Sequence, residues 1–202
     1  MKKYLIVILL TIVLPVSAQD YDKYEQSENY CKGVEYFEKQ DYGRAEDFLR
    51  KELEEHRDNG YAYMLLALIQ VRDEDYFQAL ASFDRAIEYV PDFSGGYSYR
   101  AEAYFRLGEY AAAASDIVRA LEIDSDDRAF RLMMEVADSS FMLMNMALTI
   151  KEFSDPDNPY WPYCLGIIND RTGKLSDAIA YYRKSAALKE SPIHYQMLAR
   201  CF

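Results

Sequence analysis

Gly60–Asp127 reads GYAYMLLALIQVRDEDYFQALASFDRAIEYVPDF and then SGGYSYRAEAYFRLGEYAAAASDIVRALEIDSDD, two copies of one unit set end to end. Tyr76, Ala79, Phe83 and Ala86 return 34 residues later as Tyr110, Ala113, Ile117 and Ala120. Tyr63 returns as Tyr97, and Ala67 as Ala101. Each copy spells a helix, a short turn and a second helix, with turns at Arg72-Asp73-Glu74-Asp75 and Leu107-Gly108-Glu109. Small residues at Ala67, Ala79 and Ala86 let the paired helices approach, while Tyr63, Tyr76 and Phe83 fill the space between units, as dense packing requires. Pro91 closes the first copy because it cannot continue a helix. Ser125 holds that place in the second, so the break there rests on Asp124–Asp127.

Working outward, residues 26–59 form a first unit framed by Gly33, Tyr36, Tyr42 and Ala45. Residues 128–158 form a degenerate fourth unit. Ala147 keeps the offset of 34 from Ala113, but the turn glycine is absent and Asp138-Ser139-Ser140 must serve. Pro156 falls three residues before the place two periods beyond Pro91, which predicts a shortened second helix or link. Met133, Met134, Met142, Met144 and Met146 crowd this unit; they read first as filler of an irregular joint and second as an adaptable binding surface. Unit five, residues 159–192, recovers the pattern through Leu165-Gly166, Gly173, Leu175, Ala178 and Tyr182. Asn158 is placed to cap its first helix, and Pro159 and Pro162 suit the first turn. Residues 193–202 begin one more helix, whose Ile193, Met197 and Leu198 are expected to shield the last apolar face.

Met1–Ala18 reads as an export signal rather than fold: Lys2-Lys3, an apolar run Tyr4–Leu14, then small residues at Val16-Ser17-Ala18 before Gln19. The run is short for a bilayer span, which needs roughly 20 residues, so a cleaved signal is the first reading and an uncleaved anchor the second. Residues 19–25 read as a polar lead-in. Cleavage takes Lys plus Arg from 23 to 21 against 34 acids, leaving a charge of −13. That sign repels phosphate backbones and anionic headgroups, so nucleic acid and membrane surfaces are poor partners. Three cysteines cannot complete a disulfide framework. Cys31 and Cys164 sit too many units apart to meet; all three read first as buried thiols, with a Cys164–Cys201 pair between adjacent units in an oxidising compartment as the second reading.

Catalytic and metal chemistry leave few marks. His56 and His194 sit near opposite ends with no second histidine at ligand spacing. Cys201 follows His194 by about two helical turns, out of hydrogen-bond reach. Glycines are single turn residues or, at Gly95-Gly96, part of an expected loop, and no phosphate-cradling run occurs. Asp73-Glu74-Asp75 and Asp124–Asp127 lack the interrupted spacing of a calcium loop. No cofactor and no metal is expected.

The period of 34 and the Tyr/Ala/Phe/Ala frame resemble the tetratricopeptide repeat, over about residues 26–202. The first unit departs from that pattern at Glu52, where a small residue is usual, and at Arg57, where proline is usual. The resemblance implies an all-α, right-handed α-solenoid of helix-turn-helix repeats. Its first helices would line a concave groove for a protein or peptide partner. The Lys, Asn and Arg set with which some members hold a C-terminal carboxylate is replaced by Tyr30, Val34, Leu65, Gly95 and Tyr99. The groove would instead present Tyr30 and Phe37, then Tyr61, Met64 and Leu68, then Glu102, Phe105 and Arg106, then Tyr163 and Arg171. Aromatic and arginine side chains are common interface anchors. Two functions follow: a non-enzymatic scaffold of the bacterial periplasm or envelope, or a self-assembling subunit that dimerises through residues 193–202.

Overall fold

The computed structural model describes residues 27–124, 126–189 and 191–200, with side chains at 193–195 and 200 left aside. The expected export signal and lead-in, Ser125, Cys201 and Phe202 lie outside the described residues, as do the side chains of Ile193 and His194. Ten helices follow in tandem there: α1 (Glu28–Glu38), α2 (Tyr42–Glu55), α3 (Gly60–Arg72), α4 (Tyr76–Tyr89), α5 (Ser94–Arg106), α6 (Tyr110–Ile123), α7 (Asp127–Ser154), α8 (Tyr160–Arg171), α9 (Leu175–Leu188) and α10 (Pro192–Arg200). Gly95-Gly96, expected in a loop, opens α5 instead.

Local chemistry sets the helix ends. Ser27, Asp41, Asn59, Asp75 and Asp126 each accept a backbone N–H of the first turn, satisfying donors that a helix start leaves open. The first helix of a unit closes into its turn through a residue in the left-handed region: Gln40, Glu74, Gly108 and Gly173. In unit one the Asp41 N–H donates to Tyr36 O and the Gln40 N–H to Phe37 O, a Schellman arrangement. The same bonds recur at Asp75, Glu109 and Lys174.

Unit four breaks this rule. Its two helices run as one, α7, with Ser140 alone outside the helical region (φ −152°, ψ 75°). Buried Met144 and Leu148 stand 31 residues after Ala113 and Ile117, and 34 before Ala178 and Tyr182. The three residues matching Leu107-Gly108-Glu109 are therefore missing, so the link is shortened and the second helix keeps its length. That corrects the assignment of Ala147, which is half-buried one turn away from the position Met144 takes. Met133 and Met144 are core filler; Met142 and Met146 are exposed.

Glycine marks one close approach. A Cβ on Gly166 of α8 would lie 2.5 Å from Tyr182 ring carbons of α9, and Tyr182 is fully buried. The core falls into two clusters that meet at α5, with Ala103 in the first and Ala101 in the second. Glu52, fully buried, stands where units two, three and five carry Ala86, Ala120 and Ser185, and gathers two helix starts. Its carboxylate accepts from Asn59 Nδ2 at 2.9 Å and from the Ser27 hydroxyl, with His56 Nδ1 at 3.1 Å.

Candidate partner-binding groove

First helices of neighbouring units touch one another, α1 on α3, α3 on α5 and α5 on α7, while successive second helices stay farther apart. The array therefore curves with its first helices inside.

Three of the residues expected on that inner wall are not on a surface. Tyr30, Tyr61 and Met64 are 2–3% exposed. α3 is apolar around most of its circumference and is enclosed by neighbours on both sides, so its residues fill the joint between units. Met64 lies over Gly96 of α5, where even a Cβ would come within 3.2 Å of its methyl. The remaining seven are partly or fully accessible. Phe37 meets Tyr42 edge-on at 5.5 Å, and Leu68 is half-buried. Phe105 packs 5.7 Å from Tyr110, leaving part of its ring open. Arg106 is the most open, 3.8 Å from Glu102.

Glu102 is less available than the sequence suggests. Arg128, at the start of α7, donates to it at 2.7 Å and stacks its guanidinium 4.0 Å from the Tyr99 ring, with a bond to the Tyr99 hydroxyl at 3.2 Å. Tyr99 in turn stacks on Phe83. Tyr99 and Arg128 thus belong to the wall. Arg171 donates to both oxygens of Asp138, at 2.8 and 2.5 Å. That bond holds the Asp138 carboxyl below its usual range and raises Arg171. Tyr163 lies between Tyr160 and Tyr182, and with Phe130, Met134, Ile167, Arg171 and Met197 it lines a cleft of about 340 Å³.

The titratable groups nearby are structural in character. Burial works against the Arg100 charge, but Asp116 and Asp84 outweigh it and push the guanidinium up, so it stays charged between them. Burial raises the Cys164 thiol to about 12, which keeps it protonated at neutral pH. Cys31, expected to be buried, is exposed on α1 instead. Among the described residues no group of three or more His, Cys, Asp or Glu side chains could hold a metal ion, and no helix is long and apolar enough to cross a membrane.

The tetratricopeptide-repeat family model matches residues 32–88 and 64–128, over the units whose frame is clearest. The chain is a tetratricopeptide-repeat protein. The array of hairpins is accordingly a solenoid of that family. Serine/threonine-protein phosphatase 5 of Rattus norvegicus is 31% identical over 94 residues, 46% of this chain but only 19% of the phosphatase. The chain thus spans about a fifth of the length of that curated relative. Among solved structures, YrrB, a TPR protein with an unusual peptide-binding site, aligns at a TM-score of 0.55 and 17% identity, over 91% of this chain and 96% of YrrB. TTC0263, a thermophilic TPR protein of Thermus thermophilus, aligns at 0.50 and 19%, covering 86% and 96%. The first TPR of Spaghetti (RPAP3), bound to the HSP90 peptide SRMEEVD, aligns at 0.53 and 22%, covering 55% and 89%.

Proposed function

We propose that this tetratricopeptide-repeat array is a non-enzymatic scaffold that holds a segment of another protein along its inner wall, and that it works in the bacterial envelope after export. The observation that carries the reading is the set of open or partly open aromatic and arginine side chains on the first helices of units one, three and five: Phe37, Phe105, Arg106, Tyr163 and Arg171. Rings bury large area at little conformational cost, and guanidinium groups add charge-assisted hydrogen bonds, which suits both to anchor a peptide. The peptide bound by the RPAP3 repeats lends the reading support through shared fold. The basic, apolar and small-residue order of Met1–Ala18 supports export.

Selection of peptides from a displayed library against the purified chain, followed by titration, tests it. The paired change Phe105→Ala and Arg106→Ala should weaken a selected peptide at least tenfold, about 1.4 kcal/mol. Selected peptides that bind the variant as tightly as the parent would remove the groove from consideration. Envelope fractionation with N-terminal sequencing tests export, and a mature chain that does not begin near Gln19 counts against it. Self-pairing through residues 193–202 gains less support, because Met197 turns into the cleft beside α8 and Leu198 is half-buried.

A further inference from the structure

The outer surface of the second helices shows one unit unlike the rest. In unit three the outward positions are Ala111, Ser115, Arg119 and Glu122. Their counterparts in units one, two and five are small or charged, with Phe77 the one large apolar side chain among them. In unit four, once the missing turn is allowed for, the same four positions are Met142, Met146, Ile150 and Phe153, exposed at 74%, 51%, 62% and 87%. The repeat is its own control: nothing in the fold requires apolar side chains there.

We propose that this stripe on the second half of α7 is the interface through which two copies of the chain pair about a two-fold axis. Area is the first argument. The four side chains present on the order of 500 Å², the size of the largest and often functional patch on a protein surface, against roughly 800 Å² per partner in a stable interface. Flanking side chains supply the balance. Shape is the second. The stripe runs between two troughs of about 300 and 500 Å³. One is floored by Ala111, Ser115 and Ala147, small enough to receive a protruding ring. A patch that carries both a projection, Phe153, and a hollow fits the self-complementary surface a two-fold pair needs. Charge is the third. Copies of a chain at −11 repel unless they meet where acids are already matched. Here Glu122 is held by Lys151 and Arg119, and Glu152 by Lys184. Lys174, the other charged side chain lining the troughs, lies over the Phe141 ring, 3.4 Å from its centroid.

Sedimentation equilibrium on the purified chain at 1–100 µM tests the pairing, those bounds being roughly where transient to moderate dimers assemble. The parent should approach twice the chain mass. Met146→Glu with Ile150→Glu should weaken association at least 100-fold, with far-UV circular dichroism unchanged because both sites are exposed. Phe77→Glu, an exposed apolar change on α4, should leave the dimer intact. A parent that stays monomeric throughout overturns the proposal, whether or not it binds other proteins or lipid vesicles. A dimer that survives the double variant overturns it equally, since the contact then lies elsewhere.

Discussion

Replacing Gly166 by alanine pits two opposing terms against each other at one site. Alanine favours a helix over glycine by about 1 kcal/mol. Its methyl, however, would lie 2.5 Å from both Cδ1 and Cε1 of Tyr182. That ring is fully buried and flanked by Tyr163, so it has little room to swing away. Forcing one methyl into such packing costs about 1–3 kcal/mol on its own, and the distance here puts the cost at the upper end. The net expectation is a loss of about 1–2 kcal/mol, or about 0.5–1 M in the urea midpoint. Trp161, the single tryptophan, sits on the same helix, so its fluorescence reads the local transition. Gly43→Ala supplies the contrast. It lies near the start of α2 with nothing within 4 Å, so only the propensity gain remains, a few tenths to about 1 kcal/mol of stabilisation. A Gly166→Ala chain as stable as the parent would refute the claim that close approach of α8 and α9 fixes this residue.

Further expectations concern buried and titrating groups. Asn59→Ala removes both the cap of α3 and a donor to buried Glu52, and should cost about 2–4 kcal/mol. Adding Glu52→Ala should recover part of that loss, so a fully additive double variant in urea unfolding would contradict the network. Asp155 is held below its usual 3.8 by the Trp161 indole N–H, at 2.9 Å, and then by Asn158. A lowered folded-state value gives stability that is present above the unfolded value and lost as pH falls through the folded one. Tryptophan emission should therefore shift below about pH 3.8, and Asp155→Asn should abolish that step; a step unchanged in the variant assigns it to another group. In single-cysteine variants, Cys31 should react with a thiol reagent in the folded chain and Cys164 only on unfolding; equal rates would contradict the burial of Cys164.

Much of the solenoid was legible because the small and aromatic frame repeats at one offset in units two and three, where every turn has its full length. Unit four was misaligned at Ala147 because the three lost residues fall in the turn, upstream of the core positions Met144 and Leu148. Pro156 carried the length of the loss but not its place. The groove was half legible. Position along a first helix separates inner from outer, yet it does not tell how closely the next helix approaches. Tyr61 and Met64 belong to a helix apolar on nearly all sides, and that breadth was the available sign that they would be enclosed. Arg128 escaped notice because its role depends on Tyr99 and Glu102 in the unit before it.

The two core clusters meeting at α5 give the chain a thermal signature of its own. Repeat arrays hold together through nearest-neighbour contacts, so a seam in the apolar core sets where cooperativity is weakest. On heating, that seam is where the blocks before and after α5 would part, against the contact of Met64 with Gly96, Ala103 seated in the first cluster, the Phe83–Tyr99 stack and Arg100 with its aspartates. A peptide lying across Leu68 and Phe105 would strap those blocks together and merge their transitions. Occupancy would then be visible calorimetrically, as one sharp peak replacing two broad ones.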